Sequence, residues 1–128
     1  MEHLDWSTPA WWPSLDGAVL VLETSEDQPP PVAVTSLLRS LAATGELHRL
    51  SGLVFARPGG ADLPVDEHVV DDRAILRVVG DEEGLVELPV ATTVDLGHTD
   101  PIWTVPQGVR IRLDPAAAEI TFLEPAVT

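Results

Sequence analysis

Three short polar segments of the 128-residue chain hold the residue types that hydrolytic chemistry uses, and two of them directly follow apolar runs. They are Glu23-Thr24-Ser25-Glu26, Arg57-Pro58-Gly59-Gly60 and Gly97-His98-Thr99-Asp100-Pro101. In parallel α/β sheets, catalytic and ligand-binding groups gather in loops beyond the carboxyl ends of strands. A carboxylate closing a buried strand is costly to desolvate unless it is paired or hydrogen-bonded. A histidine from a neighbouring strand end would suit such a carboxylate. An acid that fixes a histidine's tautomer and stabilises its charged form is the supporting half of a hydrolytic triad. Glu23 and His98 are the candidates for that pair.

Plainer readings stand beside this one. From pattern alone, Glu23 is the first solvated residue after a strand, and His98 a hydrogen-bonding residue in a glycine- and proline-rich turn. Arg57, Thr99 and Asp100 are candidates for substrate contact, yet in so acidic a chain an arginine finds a partner acid readily. His98 and Asp100 supply two possible metal ligands without a third, so no metal site is expected. His3, His48 and His68 show no ligand spacing and read as exposed. Trp11 and Trp12 read as packing aromatics before a ligand-stacking surface. There is no phosphate-binding glycine loop and no Gly-x-Ser-x-Gly elbow. The six serines fall in turns, caps or helix, so the sequence offers no nucleophile setting and no cofactor.

The elements that would position these residues are legible from periodicity. Residues 18–23 (AVLVLE) form a nearly continuous apolar run, the pattern of a strand buried on both faces. After the proline-rich connection TSEDQPPP, Val34, Leu37, Leu38 and Leu41 recur at i, i+3, i+4 and i+7, which predicts a helix over 32–44 that Gly45 stops. Residues 52–56 (GLVFA) read as a second buried strand. Strand, helix, strand in that order suggests a parallel crossover unit. A weaker helix is expected over 66–79, starting among acids and ending at Gly80. A strand over 88–94 and two short strands over 109–113 and 119–123, joined by a turn at Asp114-Pro115, complete the chain. Residues 1–17, with three of the four tryptophans, read as an irregular lead-in to one domain over 18–128.

Composition narrows the function further. A chain of this length can bury a core of its own, and 45% hydrophobic residues fit a globular class. Its 21 acids stand against 7 basic residues, all arginine, for a net charge of −14. That balance argues against nucleic acid and against anionic lipid, and reads as solubility. No apolar run is long enough to span a membrane, and the start MEHLDW lacks the basic, apolar layout of a signal peptide. With no cysteine there is no disulfide framework, which agrees with a cytoplasmic setting.

Four segments in order, GAVLVLETSED, SLLRSLAATGEL, GLVFARPGG and VDLGHTDPIWTVPQGVRIRLD, carry a resemblance over nearly the whole chain, from about residue 12 to 124. They resemble the LD-carboxypeptidase family, which includes the microcin C immunity peptidases, in its C-terminal domain. The resemblance implies an α/β fold, a three-layer swivelling β/β/α domain with mixed strands and two main helices. It implies that Glu23 is the triad acid and His98 the base. In the family the nucleophilic serine and the oxyanion-hole amides belong to an N-terminal domain, and no residue of this chain corresponds to them. The expected partner is therefore that nucleophile domain, in the same or a separate chain, and the expected substrate is small and peptide-like. Activity of this chain alone is not expected. A domain of this kind bares an apolar patch that self-association covers, so a homodimer is expected, and a non-enzymatic binding or oligomerisation domain is the alternative. ETSE and HTDP lean slightly towards the microcin immunity branch over murein tetrapeptide recycling. Residues 62–87 depart from the family pattern.

Overall fold

A computed structural model describes residues 13–59 and 65–127 of the chain, with the backbone alone for residues 65–70. The lead-in tryptophans Trp6, Trp11 and Trp12, with His3, Gly60 and the His68 side chain, lie outside what is described. The elements are β1 (Val19–Leu22), α1 (Pro31–Ala43), β2 (Gly52–Ala56), α2 (Val65–Leu76), β3 (Val90–Val94), β4 (Ile111–Asp114) and β5 (Glu119–Phe122).

The apolar run Gly52–Ala56 becomes the middle strand of a three-stranded parallel sheet, ordered β1-β2-β3, and every one of its residues is buried. Because side chains alternate across a strand, β2 feeds two separate cores. Leu53 and Phe55 pack with Val34, Leu38, Leu41, Ile75 and Val78 from the helical layer. Val54 and Ala56 pack on the opposite face with Leu96, Leu113 and Ile120. That second face is covered by the antiparallel hairpin β4–β5, whose Ile111 stands opposite Phe122 and Asp114 opposite Glu119. The hairpin approaches so closely that a Cβ built on Gly52 would lie 2.6 Å from Leu113 Cδ1. Helices, parallel sheet and hairpin are the three layers of the expected β/β/α arrangement, with the mixed strand directions divided between two sheets.

α1 follows its predicted face closely. Proline occupies its first turn, where the missing N–H costs nothing, and Val34, Leu38 and Leu41 are buried while Leu37 is half-buried. Gly45 takes the left-handed conformation (φ +80°) and its N–H donates to the Ala42 carbonyl, which ends the helix. Two expectations need correction. The run at residues 18–23 is not buried on both faces. β1 lies at an edge of the sheet among the described residues, and Val21 is exposed on it. The second helix also does not stop at Gly80. It continues as a π-helical turn, Arg77–Glu82, and the left-handed glycine that follows is Gly84 (φ +68°). A π turn advances fewer degrees per residue, so the adjacent Val78 and Val79 can both be buried, and that packing carries the chain past a glycine.

Surface ion pairs join neighbouring segments. Arg39 of α1 forks onto Glu82 of the π turn at 2.8 and 2.7 Å. Arg49 forks onto Asp16, and its hydrogen bonds hold the Asp16 carboxyl below the usual carboxylate range.

β3 carries an irregularity that bears on the site. Val54 pairs with Ala91, but Ala56 pairs with Val94, so β3 has one residue more than β2 across this stretch. The bulge is closed by Thr93 at φ +59°, exposed and β-branched in a region that L-residues with branched side chains avoid. Such a residue costs about 1–3 kcal/mol. Thr93→Gly is therefore expected to stabilise the domain by about 1 kcal/mol after glycine's extra chain entropy. The check is a thermal melt, in which the midpoint rises by roughly 3–5 °C. A lower midpoint would show that Thr93 makes contacts worth more than its strain.

Candidate functional site

The parallel pairing places the carboxyl ends of β1, β2 and β3 at one edge of the sheet. β1 ends at Leu22 and delivers Glu23. β3 ends at Val94 and leads through Asp95, the buried Leu96 and Gly97 to His98. Residues 75 positions apart in sequence thus meet across the end of the middle strand. His98 Nδ1 lies 3.6 Å from Glu23 Oε2, an ion-pair approach longer than a hydrogen bond. The pair is open to solvent, with the Glu23 side chain 44% and the His98 side chain 46% exposed. The desolvation argument for a buried Glu23 is corrected accordingly: an edge strand delivers this carboxylate half into water.

Two glycines make the approach possible. Gly97 sits at φ +75°, and a Cβ there would overlap the Glu23 carboxylate, whose Cδ would be 2.6 Å away. Gly59, in the loop after β2, lies beneath His98. A Cβ on Gly59 would be 2.9 Å from His98 Cβ and 3.0 Å from its carbonyl oxygen. The segments singled out in the sequence therefore converge, but two of their members act through absence of a side chain.

Arg57 is placed against the loop that carries His98. Its Nε donates to Asp95 Oδ1 at 2.8 Å, and its Nη2 donates to the Asp100 carbonyl at 3.4 Å. The guanidinium thereby staples the histidine loop to the end of β2. The Thr99 hydroxyl donates to the Pro101 carbonyl at 2.9 Å, and Asp100 precedes a cis proline. Arg57, Thr99 and Asp100 thus make their contacts within the loop that presents His98. Of the other histidines with described side chains, His48 is paired with Glu83 at 2.9 Å, away from this edge.

One residue at the site went unmarked as functional. Glu26 Oε2 lies 2.9 Å from His98 Nε2, on the ring nitrogen opposite Glu23. The signal available in the sequence was a second acid three residues after the first, in the same loop. Among the described residues, no group of three or more His, Cys, Asp or Glu side chains is placed to hold a metal ion. Beside Glu23 runs a groove of 620 Å³ lined by Leu15, Val21, Trp103, Val105 and Val109 among others. Trp103 in it is 52% exposed and its neighbour Ile102 60%.

Fold and site together define a three-layer β/β/α domain that carries a carboxylate–imidazole contact at the carboxyl edge of its parallel sheet. The chain belongs to the LD-carboxypeptidase C-terminal domain family, whose model matches residues 5–113. Among solved structures it is similar to the muramoyltetrapeptide carboxypeptidase from Oxalobacter formigenes, with a TM-score of 0.65 and 27% sequence identity. The match covers 88% of this chain but only 38% of that enzyme's chain. No curated protein matches the chain. Among the described residues, no helix is long and apolar enough to cross a membrane.

Proposed function

We propose that this domain supplies the general base and its orienting acid, His98 and Glu23, to a serine-type hydrolase that removes a terminal residue from a small peptide-like substrate. The observation that carries the reading is the 3.6 Å approach of His98 Nδ1 to Glu23 Oε2 at the carboxyl edge of the sheet. The nucleophilic serine comes from outside these 128 residues, in a domain joined to them or in a separate chain. In that scheme His98 takes the serine proton as the oxygen attacks the scissile carbonyl. It then gives the proton to the leaving amine as the C–N bond breaks, and activates water for the second half of the reaction. Glu23 stabilises the imidazolium that forms between these steps. The exposed groove beside Glu23 is where a serine-bearing domain would cover apolar surface.

Two substrate classes follow from two observations. The name of the structural relative, a muramoyltetrapeptide carboxypeptidase, supports a muropeptide tetrapeptide. The ETSE and HTDP segments support an aminoacyl-nucleotide antibiotic of the microcin C type. The test mixes the chain with the serine-bearing N-terminal half of a family enzyme and assays an L,D-tetrapeptide and an aminoacyl-sulfamoyl adenylate in parallel. The chain alone is expected at background, and the mixture is expected to hydrolyse one of the two. Hydrolysis by the chain alone, or none by the mixture, would sink the reading.

A further inference from the structure

Both ring nitrogens of His98 face a carboxylate, Nδ1 towards Glu23 at 3.6 Å and Nε2 towards Glu26 at 2.9 Å. A general base offers one nitrogen to its orienting acid and the lone pair of the other to the nucleophile's hydroxyl. Here neither nitrogen is open to a nucleophile. An ionised carboxylate only accepts hydrogen bonds, and a neutral imidazole carries one N–H and one lone pair. In the neutral ring a bare lone pair on Nε2 would point at oxygen lone pairs 2.9 Å away, so the single proton belongs on Nε2. Nδ1, at the longer distance, is then the bare nitrogen. That tautomer is the reverse of what a Glu23–His98–serine relay needs.

One of the two acids must therefore give way, and the surroundings decide which. Glu23 directly continues β1, and its carboxylate lies against the backbone of Gly97. Glu26 stands in a turn between β1 and α1 with its side chain 68% exposed. We propose that Glu26 is a positioning residue that holds His98 in the Nε2–H tautomer, in the place a serine hydroxyl would take, and withdraws when the nucleophile arrives. The inference rests on reading Glu23 and His98 as acid and base, but its chemistry is measurable on this chain alone.

The experiment is nitrogen-15 NMR of histidine-labelled protein at about pH 9, above the imidazole titration range. The His98 signals are assigned by their loss in His98→Gln. The wild type is expected to be mainly the Nε2–H tautomer, and Glu26→Ala to shift the ratio about tenfold or more towards Nδ1–H. Glu23→Ala is expected to stay Nε2–H, which a general loosening of the site would not produce. Glu26→Leu, which fills similar volume without an acceptor, gives the same shift. A wild type dominated by Nδ1–H, or a ratio unmoved by both Glu26 variants, overturns the inference. His98-dependent hydrolysis with no tautomer change removes this inference and keeps the acid–base reading. A tautomer change with no hydrolysis by the mixture with the serine-bearing half does the reverse.

Discussion

Replacing Gly97 by alanine is expected to destabilise the domain by about 2–3 kcal/mol and to move the Glu23 carboxylate off His98. Two costs add at this position. An alanine held at φ +75° carries the left-handed penalty of roughly 1–2 kcal/mol. Its Cβ also overlaps the Glu23 carboxylate and lies 3.0 Å from Glu23 Cβ. The carboxylate is the far end of a half-exposed side chain, so it can swing outwards. Doing so relieves the overlap only by abandoning the imidazole. Gly108 supplies the control, with nearly the same φ of +74° and nothing within 4 Å of a built Cβ. Gly108→Ala should therefore lose only the conformational part, about 1 kcal/mol. Urea unfolding of both variants separates the two costs. Under the proposed function, Gly97→Ala mixed with the serine-bearing half should also lose about a hundredfold in kcat/KM, the usual scale for an ångström of misplacement. Equal behaviour of the two variants would show that Gly97 is there for its backbone alone.

This pairing of costs explains what the sequence could and could not convey. The apolar run Gly52–Ala56 announced a strand buried on both faces, because a middle strand under two layers has no polar side. Residues 18–23 carried the same pattern and ended at an edge, since a run of apolar residues cannot report whether a neighbour covers it. The spacing of Val34, Leu38 and Leu41 fixed α1, but nothing in a one-dimensional pattern marks a π turn that carries Val78 and Val79 past Gly80. The same holds at the site. Glu23 and His98 were each visible as polar strand ends, and only parallel pairing about β2 turns them into neighbours. Glu26 was in plain view in its segment, but its role depends on which nitrogen of a distant imidazole it faces. Arg57 met an acid of its own chain, as the charge balance favoured, and that acid is Asp95.

Under the proposed function, the largest effects are expected from the Glu23–His98 pair, measured with the chain mixed with the serine-bearing half. In the proposed scheme, His98→Ala removes the group that takes the serine proton and returns it to the leaving amine. Loss of a triad base typically costs about 10⁴-fold or more in kcat, leaving the rate that binding and the oxyanion hole sustain. Glu23→Gln keeps size and hydrogen-bonding capacity but removes the charge that stabilises imidazolium, and should cost roughly 10²–10⁴-fold. The two losses should not multiply, because the acid acts only through the base. A Glu23→Gln/His98→Ala double variant is therefore expected to match His98→Ala within about twofold. Steady-state kinetics on the four forms closes the cycle. Multiplying losses would place Glu23 on the substrate or on the fold instead of on His98. Both side chains are half-exposed, and exposed ion pairs contribute little to stability, so melting curves of the single variants should overlay the wild type. Loss of rate at unchanged stability is the signature that would assign this edge of the sheet to chemistry.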